Sequence, residues 1–294
     1  MKDKLFFLNK RLKGRMAVLF YKWLKKPEIK NTDETINYII KNRCSVSRFG
    51  DGEFQILLGE YLIFQDYHPL LAEKFAAILA QKEDLNHITC IPSVLTDNSE
   101  LKSAPKEYWH QYFSGNYYYL KPYFTFKKPY YDSLLSRLYM DQLNSQLSKT
   151  RFEMIRNVWE AQDILFIEGE QSRLGVGNEL FDNARSIKRI LCPSLNAFSC
   201  YDEVLNYVSI NIRKDTLILL ALGPTATAMA WDLCKLGYWA IDIGHIDIEY
   251  EWMNMGATEK VPVKNKFVGD IFTFSEESNG NLEEYKKSII KIIN

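Results

Sequence analysis

Residues 215–237 read DTLILLALGPTATAMAWDLCKLG, and this stretch decides the fold class. A continuous apolar run, the strongest strand signal in the chain, ends at Gly223, and Pro224 suits the first position of a helix. The apolar face of that helix is formed by Ala226, Met229, Ala230 and Leu233. Gly237 is placed to end it. A fully apolar strand followed by a helix is typical of a parallel sheet that helices cover on both faces.

The same alternation of strand and helix recurs along the chain. Strands are predicted at residues 44–49, 87–91, 163–169, 187–192, 215–223 and 238–244. Helices are predicted at about 32–41 with Asn31 or Thr32 as the cap, from about 53, and at 69–81. We therefore predict an α/β fold with a Rossmann-like, mostly parallel sheet flanked by helices. Residues 31–294 form one predicted domain, with residues 105–160 as a helical insertion.

Residues 1–30 are predicted to form a basic, amphipathic, helical N-terminal extension. They contain ten Lys or Arg residues and two acids, a net charge of +8, whereas the whole chain is neutral. The remainder is therefore acidic, which argues against a nucleic-acid partner for the main body. Residues 1–26 suit either contact with an anionic membrane surface or docking on the domain itself with a solvated basic face.

The cysteines and the apolar runs bear on location. Five cysteines without a CxxC pair are typical of buried free thiols in a reducing compartment. No apolar run approaches the ~20 residues of a membrane-spanning helix, and no signal peptide is visible. We expect a cytoplasmic protein, held at the inner face of the membrane if residues 1–26 bind there.

Two carboxylates stand together in SRFGDGEF (47–54), where a predicted strand gives way to a helix. Asp51 and Glu53 flank a single glycine, so both can reach one divalent cation that also holds phosphate oxygens. Oxygen ligands favour Mn²⁺ or Mg²⁺ over zinc. We predict Asp51 and Glu53 as metal ligands; the alternative is a chance pairing, since an isolated DxE is common.

Two other strand ends carry groups suited to phosphate. In LGPTAT (222–227), the amides of Thr225 and Ala226 lie at the positive end of a helix dipole. In SRLGVGN (172–178), Arg173 can clamp a diphosphate and Asn178 can bond to a base or ribose. The second motif lacks the third glycine of a dinucleotide fingerprint and the GK[ST] of a P-loop.

The last strand end reads DIGHIDIEYEW (242–252) and combines a histidine with acids. His245 suits metal ligation, phosphate contact or proton transfer. In an extended segment, Asp247, Glu249 and Glu251 would point to one side. We predict Asp247 or Glu249 as a catalytic base, with Glu170 as the next candidate. Because ligands collect at the carboxyl ends of strands in open α/β sheets, all four motifs are expected at one crevice.

Taken in order, SRFGDGEF, IEGEQSRLGVGNELF, KRILCP, NAF, ALGPTAT and DIGHIDIEYEW resemble the glycosyltransferases of the GT-D fold. This bacterial family was first described as a domain of unknown function, and the resemblance covers roughly residues 32–275. It implies a Rossmann-like domain that binds a nucleotide sugar, UDP-sugar above all, with Mn²⁺ or Mg²⁺. The family's DxE motif matches Asp51 and Glu53. Family members often have Asp where this chain has Glu179, so no direct ligand role is carried over to residue 179.

The residues and the resemblance together define a predicted site. Its nucleotide-sugar contacts are Arg48, Gly50, Ser172, Arg173, Gly175, Gly177, Asn178, Gly223, Pro224, Thr225 and Ala226. Its catalytic groups are His245, Asp247 and Glu249. The predicted reaction is sugar transfer to a cell-surface glycan, glycolipid or glycoprotein. The alternatives are a metal-dependent phosphohydrolase or nucleotidyltransferase, and a non-catalytic nucleotide-binding module.

Overall fold

The computed structural model describes residues 21–274 and 283–294, and all structural statements refer to these. The α-helices are α1 Thr32–Asn42, α2 Asp51–Leu57, α3 Pro69–Ala80, α4 Ser103–Leu120, α5 Ser145–Arg156, α6 Tyr201–Asn211, α7 Pro224–Lys235, α8 Ile246–Met255 and α9 Glu283–Ser288. The strands are β1 Ser45–Arg48, β2 His87–Ile91, β3 Tyr131–Asp132, β4 Asp163–Gly169, β5 Ser186–Cys192, β6 Leu217–Ala221, β7 Trp239–Asp242, β8 Phe267–Val268, β9 Thr273–Phe274 and β10 Ile289–Ile292. Short 3₁₀ turns lie at Tyr21–Trp23, Ser93–Leu95, Lys121–Tyr123, Ser133–Ser136 and Ala197–Cys200.

Eight of these strands form one parallel sheet in the order β10-β5-β4-β6-β7-β1-β2-β3. The remaining pair, β8 and β9, forms a small antiparallel hairpin outside it. The predicted α/β class with a mostly parallel sheet is confirmed. Because all strands of the main sheet run the same way, their carboxyl ends meet at one edge.

Strand β6 shows why the sheet is buried on both faces. Leu217 and Leu219 pack into the core on one face, which α1 and α5 cover. Ile218 and Leu220 pack into the core on the other face, with α3 and α7. Alternate side chains of a strand point to opposite faces, so an unbroken apolar run fills both cores. Each such side chain contributes about 1.5–3 kcal/mol through burial.

Several predicted elements are confirmed with small shifts at their ends. Helix α1 begins with a capping box: Asn31 Oδ1 accepts from the Glu34 amide and Glu34 Oε2 accepts from the Asn31 amide, both at 2.9 Å. The predicted apolar face of α7 is fully buried. Residues 1–20 of the predicted basic extension lie outside the described residues.

The segment 105–160 contains more than the predicted helices. Besides α4 and α5 it supplies β3, which pairs with β2 at one edge of the main sheet. At the other edge, β10 pairs with β5 and was also not predicted. Both are short edge strands of two and four residues, which leave too brief an apolar pattern to be recognised.

The extended conformation expected for residues 247–251 is wrong, because α8 is a helix. Ile246 and Tyr250 share one core, while Ile248 and Trp252 share another, so each pair is spaced as on a helix face. The sequence alternates apolar and acidic residues and so resembles a strand. Gly256, with a φ of 62°, ends the helix in the left-handed conformation that glycine favours.

Over residues 21–274 and 283–294, no helix has the length and hydrophobicity needed to cross a bilayer.

Candidate active site

A cavity of about 680 Å³ opens at the carboxyl edge of the main sheet. Residues at or just after the ends of β1, β4, β5, β6 and β7 line it. Arg48, Asp51, Ser172, Gly223 and His245 represent all four motifs that the sequence singled out. The predicted convergence of these motifs is therefore present, in a cavity of the size that small-molecule sites have.

The acid pair lies in the first turn of α2, and both carboxylates line the cavity. Glu53 Oε2 reaches back to accept from the Gly50 amide at 2.6 Å, which caps the helix. The Tyr108 hydroxyl on α4 donates to Asp51 Oδ2. Burial raises the pKa of Glu53 to about 7, against the opposing effect of the nearby Arg48. The two acids therefore differ, because Glu53 is buried and Asp51 is partly exposed.

Arg48 is held beside the acid pair by Asp242, at the end of β7. Its Nε lies 3.6 Å from Asp242 Oδ1 and is buried without a hydrogen-bond partner among the described residues. Gly244 makes room for the guanidinium, since a Cβ there would lie 2.3 Å from Arg48 Nη2. Arg48 lines the cavity, so its guanidinium can contact a ligand oxygen.

The LGPTAT motif presents only its first residues to the cavity. Gly223 and Pro224 line the wall, and Gly223 has a φ of 54°, which favours glycine at this turn into α7. Thr225 and Ala226 are buried beneath them, and the Thr225 hydroxyl donates to Gln65 Oε1 at 3.1 Å. The motif therefore contributes a helix N-terminus rather than side chains.

The glycine loop, residues 172–178, is mostly turned away from the cavity. Of its five predicted contacts, only Ser172 lines the wall. Arg173 donates to the carbonyl of residue 265 at 3.3 Å and stacks 5.2 Å above the Phe274 ring. Gly175 and Gly177 have φ values of 70° and 86°, so they shape the loop itself.

Asp247 lines the cavity, but its carboxylate is engaged in a buried polar network. Oδ1 accepts from the Gly175 amide at 3.0 Å and from Asn178 Nδ2 at 2.8 Å. Oδ2 accepts from Lys266 Nζ at 2.6 Å, and this lysine also donates to Glu251 Oε1 at 2.8 Å. The network ties α8 to the glycine loop.

Glu249 is fully buried on α8 and is not among the residues that line the cavity. Its Oε2 accepts from the amides of Tyr139 and Met140 at 2.8 and 2.7 Å. Its Oε1 lies 3.8 Å from Arg137 Nη1. Burial raises the pKa of Glu249 to about 7, although Arg137 opposes that rise. This carboxyl group fixes the backbone around residue 139.

His245 stands at the N-terminal end of α8, inside a cluster of charged side chains that all line the cavity. Its Nε2 lies 3.1 Å from Asp270 Oδ2. Arg137 Nη1 lies 3.0 Å from both oxygens of Asp270, and Lys260 Nζ lies 2.9 Å from Oδ1. Burial and the Arg137 charge lower the pKa of His245, so its imidazole is neutral near pH 7.

The residues present fit a divalent cation, given a bound diphosphate. Over the described parts of the chain, no group of three or more His, Cys, Asp or Glu side chains is arranged to hold a metal alone. Mg²⁺ is often bound through one or two carboxylates together with substrate phosphates and water. Asp51 and Glu53 supply two such carboxylates on one cavity wall.

Sequence reasoning missed Arg137, Lys260, Asp242 and Asp270. Arg137 and Lys260 lie outside the predicted strand ends, so no local signal marks them. Asp270 follows Gly269 after a short apolar pair. This is the same glycine-then-acid pattern as Gly50 and Asp51 in SRFGDGEF, and it was the available signal.

This arrangement defines an α/β protein with a ligand-binding cleft at the carboxyl edge of a parallel sheet. Residues 46–271 match the family model described as the glycosyltransferase GT-D fold. The chain therefore belongs to the GT-D-fold glycosyltransferase family, as the motifs predicted.

Known relatives and solved structures agree with this family. The chain is 38 % identical over 257 residues to glycosyltransferase GlyD of Streptococcus pneumoniae serotype 4, covering 84 % of this chain and 31 % of that protein. It is 36 % identical over 240 residues to the probable glycosyl transferase Gly of Streptococcus gordonii, covering 81 % and 35 %. The chain thus spans about a third of the length of these curated relatives.

The solved structures match over the full domain. One is the highly conserved domain of unknown function 1792, described as having a distinct glycosyltransferase fold, at a TM-score of 0.88 and 37 % identity over 95 % of this chain and 100 % of that one. Another is a new glycosyltransferase of that domain type from Streptococcus sanguinis, at a TM-score of 0.84 and 33 % identity over 92 % and 100 %.

Proposed function

We propose that this chain is a metal-dependent glycosyltransferase domain that moves a sugar from a UDP-sugar to a hydroxyl of a glycan, glycolipid or glycoprotein. One observation carries the proposal: Asp51, Glu53, Arg48 and the N-terminus of α7 line the same cavity. A carboxylate pair for a cation, a cationic side chain and a helix N-terminus suit a nucleoside diphosphate. Family membership supports the transfer reaction over the alternatives.

We propose that the donor diphosphate binds between the acid pair, Asp51 and Glu53, and the N-terminus of α7. Asp51 and Glu53 would hold Mn²⁺ or Mg²⁺, which neutralises the charge of the departing nucleoside diphosphate when it is bound. The α7 N-terminus, Ser172 and Ser194 line the cavity, and we propose that they contact the remaining phosphate and ribose oxygens.

The acceptor is placed against α4. Tyr108 and Trp109 line the cavity next to Asp51, and the Tyr108 side chain is 47 % exposed. Aromatic side chains with a few polar groups are the usual lining of small-molecule sites, and here they suit the apolar face of a sugar ring. The acceptor hydroxyl would then approach from the side of His245.

The three predicted catalytic residues now rank differently. Asp247 has both oxygens engaged by Gly175, Asn178 and Lys266. Glu249 does not line the cavity. We therefore assign proton transfer to His245 rather than to either carboxylate.

We propose that the chain lies in the cytoplasm, with residues 1–26 in contact with anionic lipid. Trp23 is 85 % exposed and is followed by Lys25 and Lys26, which suits an interfacial segment. Binding of the full chain to phosphatidylserine vesicles, lost in a chain lacking residues 1–26, is the measurement that checks it.

The test of function measures UDP binding by calorimetry with and without Mn²⁺. Asp51→Asn and Glu53→Gln should each weaken Mn²⁺-dependent UDP binding by about tenfold or more, because each removes one carboxylate from the cation. Asp202→Asn is the matched control, since Asp202 also lies in the first turn of a helix, α6, but away from the cavity.

The outcomes separate the alternatives. Release of UDP and free sugar from a UDP-sugar supports the transferase, whereas release of phosphate from a nucleotide supports the phosphohydrolase. Metal-dependent binding without any turnover supports the binding module. Unchanged Mn²⁺-dependent binding and turnover in both acid variants would remove the proposed metal site.

A further inference from the structure

The strongest group of contacts outside the predicted motifs centres on Asp270. Its Oδ2 lies 3.1 Å from His245 Nε2, and both of its oxygens lie 3.0 Å from Arg137 Nη1. Lys260 Nζ adds a contact of 2.9 Å to Oδ1. A carboxylate held from three sides has a fixed orientation, so it can fix that of the histidine.

The backbone is shaped to bring Asp270 against His245. Asp270 lies in the turn of the β8–β9 hairpin, while His245 begins α8. A Cβ at Gly269 would lie 3.3 Å from His245 Nε2, which is a tighter approach than side chains ordinarily make. The glycine therefore permits the close approach of the hairpin to the imidazole.

The second ring nitrogen of His245, Nδ1, is able to accept a proton. Within the described residues, no group forms a hydrogen bond with Nδ1, and the side chain lines the cavity. A hydrogen bond at one imidazole nitrogen sets the tautomer, so a proton on Nε2, donated to Asp270, leaves Nδ1 as an acceptor.

We propose that Asp270 positions His245 so that its Nδ1 removes the proton from the acceptor hydroxyl during sugar transfer. This inference rests on the proposed function of the cavity. Asp270 is a positioning residue, because it acts through His245, whereas His245 is the catalytic base.

In this proposal, the sugar is transferred by a direct displacement. The acceptor oxygen forms a bond to the anomeric carbon and its proton moves to His245 Nδ1. The bond from the anomeric carbon to the phosphate oxygen breaks, and its electron pair leaves with the nucleoside diphosphate. A single displacement of this kind inverts the anomeric configuration, and the imidazolium that forms is stabilised by the Asp270 carboxylate.

The charges that face His245 come from several elements. Asp270 from the hairpin favours the protonated ring, while Arg137 and Arg48 disfavour it. Asp247 and Glu249 lie on its own helix and are engaged elsewhere. Burial is the largest effect and lowers the pKa of the imidazole, so the free base is present at neutral pH.

The first experiment reads the tautomer without any turnover. The sequence has four histidines, so ¹⁵N–¹H correlation spectra of the ¹⁵N-labelled full chain can be assigned with His245→Ala. We expect the Nε2–H tautomer of His245 at pH 7.5, and a mixture of tautomers in Asp270→Ala. An Nδ1–H tautomer in the wild-type chain would overturn the proposal.

The second experiment measures UDP release from UDP-glucose, UDP-galactose and their N-acetylated counterparts, with Mn²⁺ and with water as acceptor. His245→Ala should lower kcat about 10²-fold or more with UDP affinity unchanged. Asp270→Asn should lower kcat by at least about tenfold and move the acidic limb of the pH profile to lower pH, because the imidazolium loses its carboxylate. A merely structural role for Asp270 would not move that limb.

Asp33→Asn is the matched control. It removes a carboxylate from another arginine, Arg151, at a 2.6 Å contact between α1 and α5 away from the cavity. It should leave kcat and the pH profile unchanged. Rescue of His245→Ala by added imidazole would support the base role further.

The remaining outcomes separate failure of the proposal for Asp270 and His245 from failure of the proposed function. The proposal for Asp270 and His245 is overturned if ¹H NMR shows that the sugar is first released with retained configuration, or if Asp270→Asn and His245→Ala keep full kcat. The proposed transferase function would remain valid in either case. If the wild-type chain releases UDP from none of the four donors, the proposed function fails. The tautomer measurement still decides whether Asp270 sets the form of His245.

Discussion

Two glycine-bearing turns of this molecule look alike in sequence and serve different purposes in the structure. The acidic turn, residues 48–53, and the glycine loop, residues 172–178, each follow a buried parallel strand and mix glycine with charged or amide side chains. Both were predicted to bind the donor. The acidic turn presents most of its residues to the cavity, whereas the glycine loop presents only Ser172 and Leu174.

The difference lies in whether the polar groups pair with the rest of the protein or line the cavity. In the glycine loop, the Gly175 amide and Asn178 donate to Asp247, which Lys266 also contacts. In the acidic turn, Arg48, Asp51 and Glu53 line the cavity. Buried polar groups that pair within the protein stabilise it, whereas charged groups that line a cavity are available to a ligand.

The largest expected effect tests the glycine-loop side of this comparison. Lys266 is fully buried between Asp247 and Glu251, at 2.6 and 2.8 Å. Lys266→Met should lower the free energy of unfolding by about 3–5 kcal/mol, because it leaves carboxylates without their buried counter-charge. Urea unfolding followed by circular dichroism measures this loss.

Two controls sharpen the result. Asp51→Asn should cost about 1 kcal/mol or less, the size of a helix-dipole contribution. Arg213→Gln breaks an ion pair with Asp215 on the surface, where the arginine is 70 % exposed, and should leave stability nearly unchanged. If Lys266→Met costs no more than these variants, the glycine loop is not the stabilising network described above.

The next effect compares Gly244, which packs against Arg48 of the acidic turn, with Gly177 of the glycine loop. Gly244 and Gly177 have φ values of 47° and 86°, so alanine should cost each site roughly 1–2 kcal/mol of backbone strain. A Cβ at Gly244 would also displace the Arg48 guanidinium, whereas a Cβ at Gly177 would meet nothing within 4 Å. Gly244→Ala should therefore weaken UDP binding about tenfold, the scale of one charge-assisted hydrogen bond.

Gly177→Ala is the matched control for strain, and calorimetry with UDP and Mn²⁺ is the measurement. Equal UDP affinity in both variants would show that Arg48 does not contact the donor. If Gly177→Ala lowers UDP affinity as much as Gly244→Ala does, the glycine loop contacts the donor.

The sequence predicted the core of the fold because the central strands carry their own signal. Strands β4 and β6 are apolar on both faces, and their ends at Gly169 and near Gly223 are marked by glycine. Edge strands β3 and β10 were missed, since β3 has only two residues and β10 has four that alternate between half-buried and exposed. Strand signals weaken where only one neighbour and one face define the strand.

The sequence predicts where the candidate site lies but not which role each of its acids has. The four strand-end motifs meet at one cavity, yet the partners that decide each role lie far along the chain. Lys266 engages Asp247 from 19 residues away, and Asp270 contacts His245 from beyond α8. Local patterns predict which edge of the sheet holds the site, whereas pairing between distant side chains decides which acids remain open.

The smallest expected effect concerns Glu249, which the sequence placed at the site and the structure places in the scaffold. Burial raises its pKa to about 7. The folded state therefore holds a proton that the unfolded chain, with an ordinary glutamate, releases near pH 4.5. Stability from this group is present at low pH and is lost as the pH rises from about 4.5 through about 7.

Glu249→Gln should remove this loss of stability at high pH. The glutamine carbonyl can still accept from the amides of Tyr139 and Met140, and its amide mimics the protonated acid. We expect similar stability of the two proteins at pH 5, and a variant more stable by at least about 1 kcal/mol at pH 8. Urea midpoints at pH 5, 6.5 and 8 measure this, and the difference between the proteins cancels titration of Glu53 and His245. If the wild-type protein gains stability over Glu249→Gln as the pH rises, the ion pair with Arg137 outweighs burial, and Glu249 is ionised in the fold.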